Sequence, residues 1–208
     1  MSYKLLITVL VIFIISSCAQ NDKKKSNHKT NAEVSNVDIP DTLDIDTQVY
    51  LTKGKSIAIA TKDVLGKQLI NAINTRGTDK ALEFCNIKAI PLTDSMSIEL
   101  NARVKRVTDK YRNPENAANE MELAYMKLAK QEIEKNGSAT PKVFELDNHI
   151  IGYYPIVTNA LCLQCHGNID TDIKEATKLA LQKNYPNDLA TGYTVNELRG
   201  LWVIEMSK

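Results

Sequence analysis

The residues in this chain best suited to chemistry are Cys162-Leu163-Gln164-Cys165-His166. C-x-x-C-H is the attachment sequence for c-type haem. Two thiols at this spacing can add to the two vinyl groups of a porphyrin, and the adjacent His166 falls where its imidazole can ligate the iron. With only four cysteines and three histidines in the sequence, an accidental match is rare. Other readings of the same residues fit less well. A redox C-x-x-C calls for a thioredoxin-like βαβ setting, which the pattern does not offer. A zinc site could borrow Cys85 and a histidine, but the chain has no second C-x-x-C and no H-x-x-x-H. A disulfide across two intervening residues closes too small a loop to stabilise much. The expectation is one haem c, covalently held by Cys162 and Cys165, with His166 as an axial ligand.

The N-terminus gives an address consistent with that chemistry. Lys4 precedes an apolar run over residues 5–15, and the small residues Ser16 and Ser17 come next. This is the pattern of a signal peptide, residues 1–17, with an uncleaved membrane anchor as the alternative. Ile15-Ser16-Ser17-Cys18 resembles a bacterial lipobox, which implies cleavage before Cys18 and lipidation at that residue. Several acyl chains on one residue would make the membrane attachment stable. The chain is then expected to be exported and lipid-anchored on the periplasmic side of a bacterial membrane, the outer membrane being favoured. Bacterial c-type haem is attached outside the cytoplasm, so this location supports the haem reading.

Residues 18–48 are polar and charged, with Lys23-Lys24-Lys25 and no sustained apolar period. They read as a flexible tether. Residues 49–208 are enough chain for one domain with a good core. A net charge of +1 argues against a nucleic-acid partner. Within the domain, helical spacing predicts a long helix over residues 49–74, stopped by Gly77. A second helix, capped by Thr78, is expected to end before Pro91, with a short third helix over residues 91–100. Ala81, Cys85 and Ala89 fall on one face of the second helix, which would let something flat approach closely. Residues 103–108 alternate weakly as a strand, and Asn113-Pro114 marks a turn. A helix over residues 117–135 is expected to turn Leu123, Met126 or Lys127, Ala129 or Lys130, and Ile133 inward, and to end at Gly137. Residues 142–146 and 149–157 bracket an Asp147-Asn148 hairpin turn. A helix over residues 172–183 and a strand over residues 201–206 complete an α+β domain.

Cysteine arithmetic leaves one thiol over. Cys18 is assigned to lipid and Cys162 with Cys165 to haem, so Cys85 stands as either a buried free cysteine or a ligand. Met96, Met121, Met126 and Met206 read as packing residues, His149 as a residue beside a turn, and His28 as part of the tether. Phe144, Tyr153, Tyr154 and Trp202 are candidates for the pocket wall, with the core as the alternative. Arg112 and Arg199 are candidate contacts for haem propionates, since a guanidinium suits a carboxylate. Arg106 is a third such candidate, for which a surface or structural ion pair is the favoured reading.

Four stretches carry a family resemblance: Ala81-Leu82-Glu83-Phe84-Cys85; residues 106–117, from Arg106-Val107-Thr108 through Asn113-Pro114 to Ala117; Tyr154-Pro155-Ile156 leading into the haem motif; and residues 185–193 followed by Leu198-Arg199-Gly200. Together they make residues 50–206 resemble the periplasmic c-type-haem domain family with a PAS-like fold, here in stand-alone form. The resemblance implies an antiparallel sheet flanked by helices and an axial pair of His166 and the Cys85 thiolate. Thiolate ligation would favour ferric iron and a low potential, and a weak sixth bond could yield to a small ligand. The expected function is a membrane-tethered mono-haem cytochrome in redox or small-ligand sensing, with a redox or signalling protein as partner. Electron transfer to a periplasmic protein is the alternative. An enzyme such as a peroxidase is not expected, because a filled sixth position obstructs peroxide and only His149 could serve as a distal histidine.

Overall fold

The computed structural model describes residues 47–208. The expected signal peptide, Cys18 and the tether up to residue 46 lie outside the described residues. The order of elements is α1 (Thr47–Arg76), α2 (Thr78–Glu99), β1 (Arg103–Val107), α3 (Glu120–Asn136), β2 (Lys142–Leu146), β3 (His149–Val157), α4 (Ala160–His166), α5 (Glu175–Asn184) and β4 (Leu198–Ser207). The four strands form one antiparallel sheet in the order β1-β4-β3-β2. This is the α+β arrangement that the sequence implies, with a long first helix.

Strand alternation assigns side chains to two faces of the sheet. Ile150 and Tyr154 of β3 and Trp202, Ile204 and Met206 of β4 pack with Ile57 and Ala58 of α1. Ile151, Tyr153, Leu201 and Val203 pack with Tyr125, Met126 and Ala129 of α3. Both faces of the central strands are therefore covered, and β3 and β4 read as nearly continuous apolar runs. Gly54 allows α1 to sit close to the sheet. A Cβ there would meet the Tyr154 hydroxyl at 2.1 Å, and that hydroxyl donates to the Leu51 carbonyl at 3.1 Å.

The hairpin is formed as expected. Asp147 and Asn148 both take positive φ, 49° and 63°, the geometry that matches strand twist in a two-residue turn. Gly77, with φ 86°, closes α1. Pro91 corrects the sequence reading: it does not end a helix, and α2 runs through it to Glu99 as one helix. The carbonyl that its missing N–H would have served belongs to Ile87, a residue 65% exposed, so water can take the donor's place. Thr78 is not a cap, because the N-cap position is Gly77 and makes no side-chain hydrogen bond.

Helix α3 differs in phase. It buries Glu122, Tyr125, Met126 and Ala129, while Leu123, expected inside, is exposed. A buried glutamate is tolerable because it is fully engaged. Glu122 accepts from the Asn119 backbone at 2.9 Å in a capping box and from Lys105 Nζ at 2.6 Å. Asp172, expected to open the next helix, instead accepts from the Asn168 N–H at 2.8 Å, and α5 starts at Glu175.

Candidate functional site

A cavity of about 340 Å³ lies between α1, α2, α4 and the β1–β4 edge of the sheet. Its volume falls within the range common for cofactor pockets, about 300–1,000 Å³. Cys85, Arg106, Arg112, Cys162, Cys165, His166 and Arg199 all line it. Every cofactor or iron-ligand candidate read from the sequence within residues 47–208 therefore reaches one space. The walls are apolar: Leu65, Leu69 and Ile73 of α1 with Ala81, Phe84 and Ala89 of α2. Leu65, Leu69 and Ile73 are half-buried, each with a side that faces the cavity. Gly66 also lines it, and a Cβ there would meet nothing within 4 Å.

The C-x-x-C-H residues lie on α4, where Cys162, Cys165 and His166 share a face by the three- and four-residue helical spacing. Asn159 caps the helix, accepting from the Leu161 N–H at 2.9 Å and from the Cys162 N–H at 3.3 Å. Just before it, buried Thr158 donates to the Thr194 carbonyl at 2.6 Å and accepts from the Glu197 N–H at 2.9 Å, fixing the exit from β3. Thr78 Oγ1 donates to Gln164 Oε1 at 3.1 Å, tying the start of α2 to the middle of the motif.

Residues 185–193 strap the other end of α4. The Tyr193 N–H donates to the His166 carbonyl at 2.9 Å, and the Gly192 N–H to that of Gly167 at 2.8 Å. Arg112 locks the strap down. Its Nε donates to Asp188 Oδ2 at 3.0 Å, and its Nη2 to the Cys165 carbonyl at 2.6 Å and the Ala190 carbonyl at 3.3 Å. His166 Nδ1 lies 2.7 Å from the Ala190 oxygen. A carbonyl can only accept, so Nδ1 carries the proton and Nε2 keeps its lone pair. Burial, then the nearby Arg112 and Arg199 guanidiniums, push His166 well below the usual histidine range, against the opposing pull of the Ala190 hydrogen bond. A neutral imidazole is the ligand form.

The three thiols are free. Burial raises the Cys85 thiol above its ordinary value, while Arg106 and Arg112 favour its ionised form. Burial likewise pushes Cys165 up to about 11, with Arg112 opposing. Both thiols therefore hold their protons near neutrality, and a metal would have to displace the Cys85 proton on binding.

Arg199 owes its position to an irregularity. Ile156 pairs with Gly200 but Val157 with Leu198, so β4 carries Arg199 as the extra residue of a bulge, a feature that re-aims side chains beside sites. Its Nη1 donates to Thr108 Oγ1 at 3.0 Å, while its buried Nε has no partner. Arg106, for which the sequence favours an ion pair over a propionate contact, makes no ion pair among the described residues. Its guanidinium lies over the Trp202 ring, 5.6 Å from the centroid.

Of the aromatic candidates only Trp202 lines the cavity. Tyr153 and Phe144 meet edge to face in the core below α3, and Tyr154 packs under α1. Met96, Met126 and Met206 are core residues, and Met121 packs at the edge of the core below α3. His149 is exposed beside its turn, with Nδ1 2.9 Å from the Asp147 carbonyl. Sequence reasoning missed Asp188, Asn159 and the Ala190 carbonyl. Asp188-Leu189-Ala190 does carry an Asx-turn signal, realised as an Asp188 Oδ1 bond from the Ala190 N–H at 2.8 Å. A backbone acceptor carries no sequence signal.

The donor set suits a flat cofactor. It comprises a neutral histidine, a thiol on an alanine-lined helix face, two further thiols on one helix face, and an unpartnered buried arginine nitrogen. No curated protein matches this chain. Among solved structures, the crystal structure of the cyanobacterial heme-protein Tll0287 is similar, with a TM-score of 0.52 and 20% identity, covering 75% of this chain and 96% of that one. At that identity the likeness concerns the fold. The family model described as Tll0287-like matches residues 19–207, nearly the whole sequence, and the chain belongs to the Tll0287-like family.

Proposed function

We propose that this protein is a membrane-tethered, mono-haem c-type cytochrome that senses redox state or a small ligand. One observation carries the reading: Cys162, Cys165, His166 and Cys85 line a single cavity with a largely apolar wall. The structurally similar Tll0287 is a heme-protein, which supports a haem in the same fold here. In this reading Cys162 and Cys165 form the thioethers, His166 Nε2 and the Cys85 thiolate are the axial donors, and the domain is PAS-like. The bound haem supplies one-electron chemistry and a site for a diatomic ligand.

The chain's own residues set the terms. Ala190 fixes the His166 tautomer, Arg112 and Asp188 hold the strap that carries Ala190, and Arg106 with Arg112 favours ionised Cys85. Because Cys85 is desolvated and basic, its bond to iron would be sensitive to reduction and acid. Cys18 anchors the protein to the periplasmic side of a membrane through lipid, and a redox or signalling protein is its partner. Catalysis of a reaction is not part of this reading.

The deciding experiment is electron paramagnetic resonance of the ferric protein, purified with its haem, beside Cys85→Ala. A changed low-spin signal is expected; an unchanged one removes Cys85 from the iron and the mechanism with it. Electron transfer is the second reading, favoured by Leu161, which lines the cavity while 39% exposed and so opens one side of the site to the surface. Rapid reduction and reoxidation with no uptake of carbon monoxide or nitric oxide would select it over sensing.

A further inference from the structure

Three guanidiniums line the cavity, but only one is matched by a carboxylate. Arg112 pairs with Asp188 at 2.9 Å, both side chains 10% exposed. That pair, with the bonds from Arg112 to the Cys165 and Ala190 carbonyls, makes Arg112 part of the scaffold. Arg199 is half satisfied, its Nη1 donating to Thr108 Oγ1 and the Lys110 carbonyl while its buried Nε has no acceptor. Arg106 has only the face of Trp202. The acidic groups that face it, the Cys85 thiol and the Tyr185 phenol, are neutral while they keep their protons.

Both arginines face the cavity, so a ligand that filled it would take them out of water, which is costly without a counter-charge. A cation–π contact returns only a small part of that cost. Two such arginines on adjacent strands, at one end of an apolar cavity, are therefore arranged for anionic groups that arrive with a ligand. The sheet supports this arrangement. Arg106 lies opposite Trp202 in the β1–β4 register, and the bulge turns Arg199 toward the same cavity. Gly200 lets the two strands close: a Cβ there would meet the Val107 carbonyl at 2.5 Å. The ligand that fits has a broad apolar body and a pair of carboxylates at one edge.

We infer that Arg106 and Arg199, and not Arg112, form the carboxylate-binding end of the cavity, with Arg106 the main anchor for the propionates of the haem. This assignment rests on the haem reading above. Arg106 offers a whole fork of donors free for bidentate contact, whereas Arg199 has already committed Nη1 to Thr108 and Lys110. Lysine cannot reproduce that fork, so charge alone does not replace Arg106.

The test uses the full-length protein matured with haem, comparing wild type with Arg106→Gln, Arg106→Lys and Arg112→Gln. Haem content is read from the alkaline pyridine spectrum, and the propionates from their resonance Raman bending bands. Arg106→Gln should keep its covalent haem, shift the propionate bands and lower the reduction potential, because a cation is removed beside the cofactor. Arg106→Lys should shift the bands less. Arg112→Gln should lose stability while its bands stay in place. Normally loaded Arg106→Gln protein with unchanged bands overturns the assignment alone. If Arg106→Gln cannot be recovered folded, unchanged bands in Arg106→Lys overturn it equally. A wild-type chain matured with the attachment machinery that carries no haem overturns the functional reading, and this assignment with it.

Discussion

His166 donates from Nδ1 to the carbonyl of Ala190 across 2.7 Å, and that carbonyl is held by a loop well beyond the haem motif in the chain. The histidine of the haem motif is thus oriented by residues outside the motif. The Ala190 carbonyl is placed by Asp188, whose Oδ1 takes the Ala190 N–H at 2.8 Å, and by Arg112 Nη2 at 3.3 Å. The geometry of the proposed iron ligand is secured through a buried ion pair.

Breaking that ion pair should be expensive. Arg112 and Asp188 are each 10% exposed, and removing one partner of a buried pair costs about 3–5 kcal/mol because the other charge is stranded. Arg112→Gln and Asp188→Asn should each lose stability of that order in urea unfolding. The double substitution should lose clearly less than the sum of the two. Simple additivity would mean that the two side chains do not depend on each other.

Helix α4 should be sensitive to its cap. Asn159 satisfies the N–H groups of Leu161 and Cys162, and losing such a cap costs about 1 kcal/mol. Asn159→Ala should show that loss in urea unfolding, whereas Asn159→Asp should retain most of the stability. Equal losses in both variants would assign the effect to something other than capping.

Much of this fold is legible in the sequence. The hairpin at Asp147-Asn148, the stop at Gly77 and the long first helix follow from local chemistry that tertiary contacts do not override. The departures have physical causes. Pro91 can sit inside α2 because the carbonyl it leaves open is on the exposed Ile87. The phase of α3 departs from its apolar pattern because Glu122, a poor core residue by type, is satisfied by Lys105 from another element. The site divides the same way. C-x-x-C-H is local and can be read directly. The proximity of Cys85, the bulge at Arg199 and the Ala190 acceptor depend on contacts distant in sequence.

Alkaline conditions should unfold the protein through its tyrosines. Burial raises Tyr125, Tyr153 and Tyr154 well above the ordinary value of 10.0, and raises Tyr185 to about 12. Between the unfolded and folded values the folded chain holds phenol protons that the unfolded chain has released. Stability is therefore complete below about pH 10 and falls as pH rises above it. Urea midpoints measured from about pH 8 to 11 should decline past that point. Tyr125→Phe should flatten the decline while costing about 1 kcal/mol at neutral pH for its 2.6 Å bond to the Thr140 carbonyl. A midpoint that stays constant across that range would contradict this.

Gly54 should resist even a methyl group. An alanine normally stabilises a helix interior by about 1 kcal/mol over glycine. Here the new Cβ would sit 2.1 Å from the Tyr154 hydroxyl and 2.8 Å from its ring. Overpacking of that kind costs about 1–3 kcal/mol, and the Tyr154–Leu51 bond would be disturbed as well. Gly54→Ala should therefore be destabilising. Tyr154→Phe in the same chain should recover part of the loss by removing the nearest atom. No recovery would place the clash elsewhere.

Gly66 offers the opposite case, in which stability and cofactor binding should separate. It lies on the same helix, but a Cβ there meets nothing within 4 Å, and the residue lines the cavity. Gly66→Ala should raise stability by about 0.5–1 kcal/mol through helix propensity, with little steric cost. Gly66→Phe should keep part of that gain in the haem-free chain while placing a ring in the space proposed for the porphyrin. Its thermal midpoint without haem should match or exceed wild type, yet its covalent haem content after maturation should fall several-fold. If Gly66→Phe matured with a full complement of haem, the cofactor would have to lie away from this wall of α1.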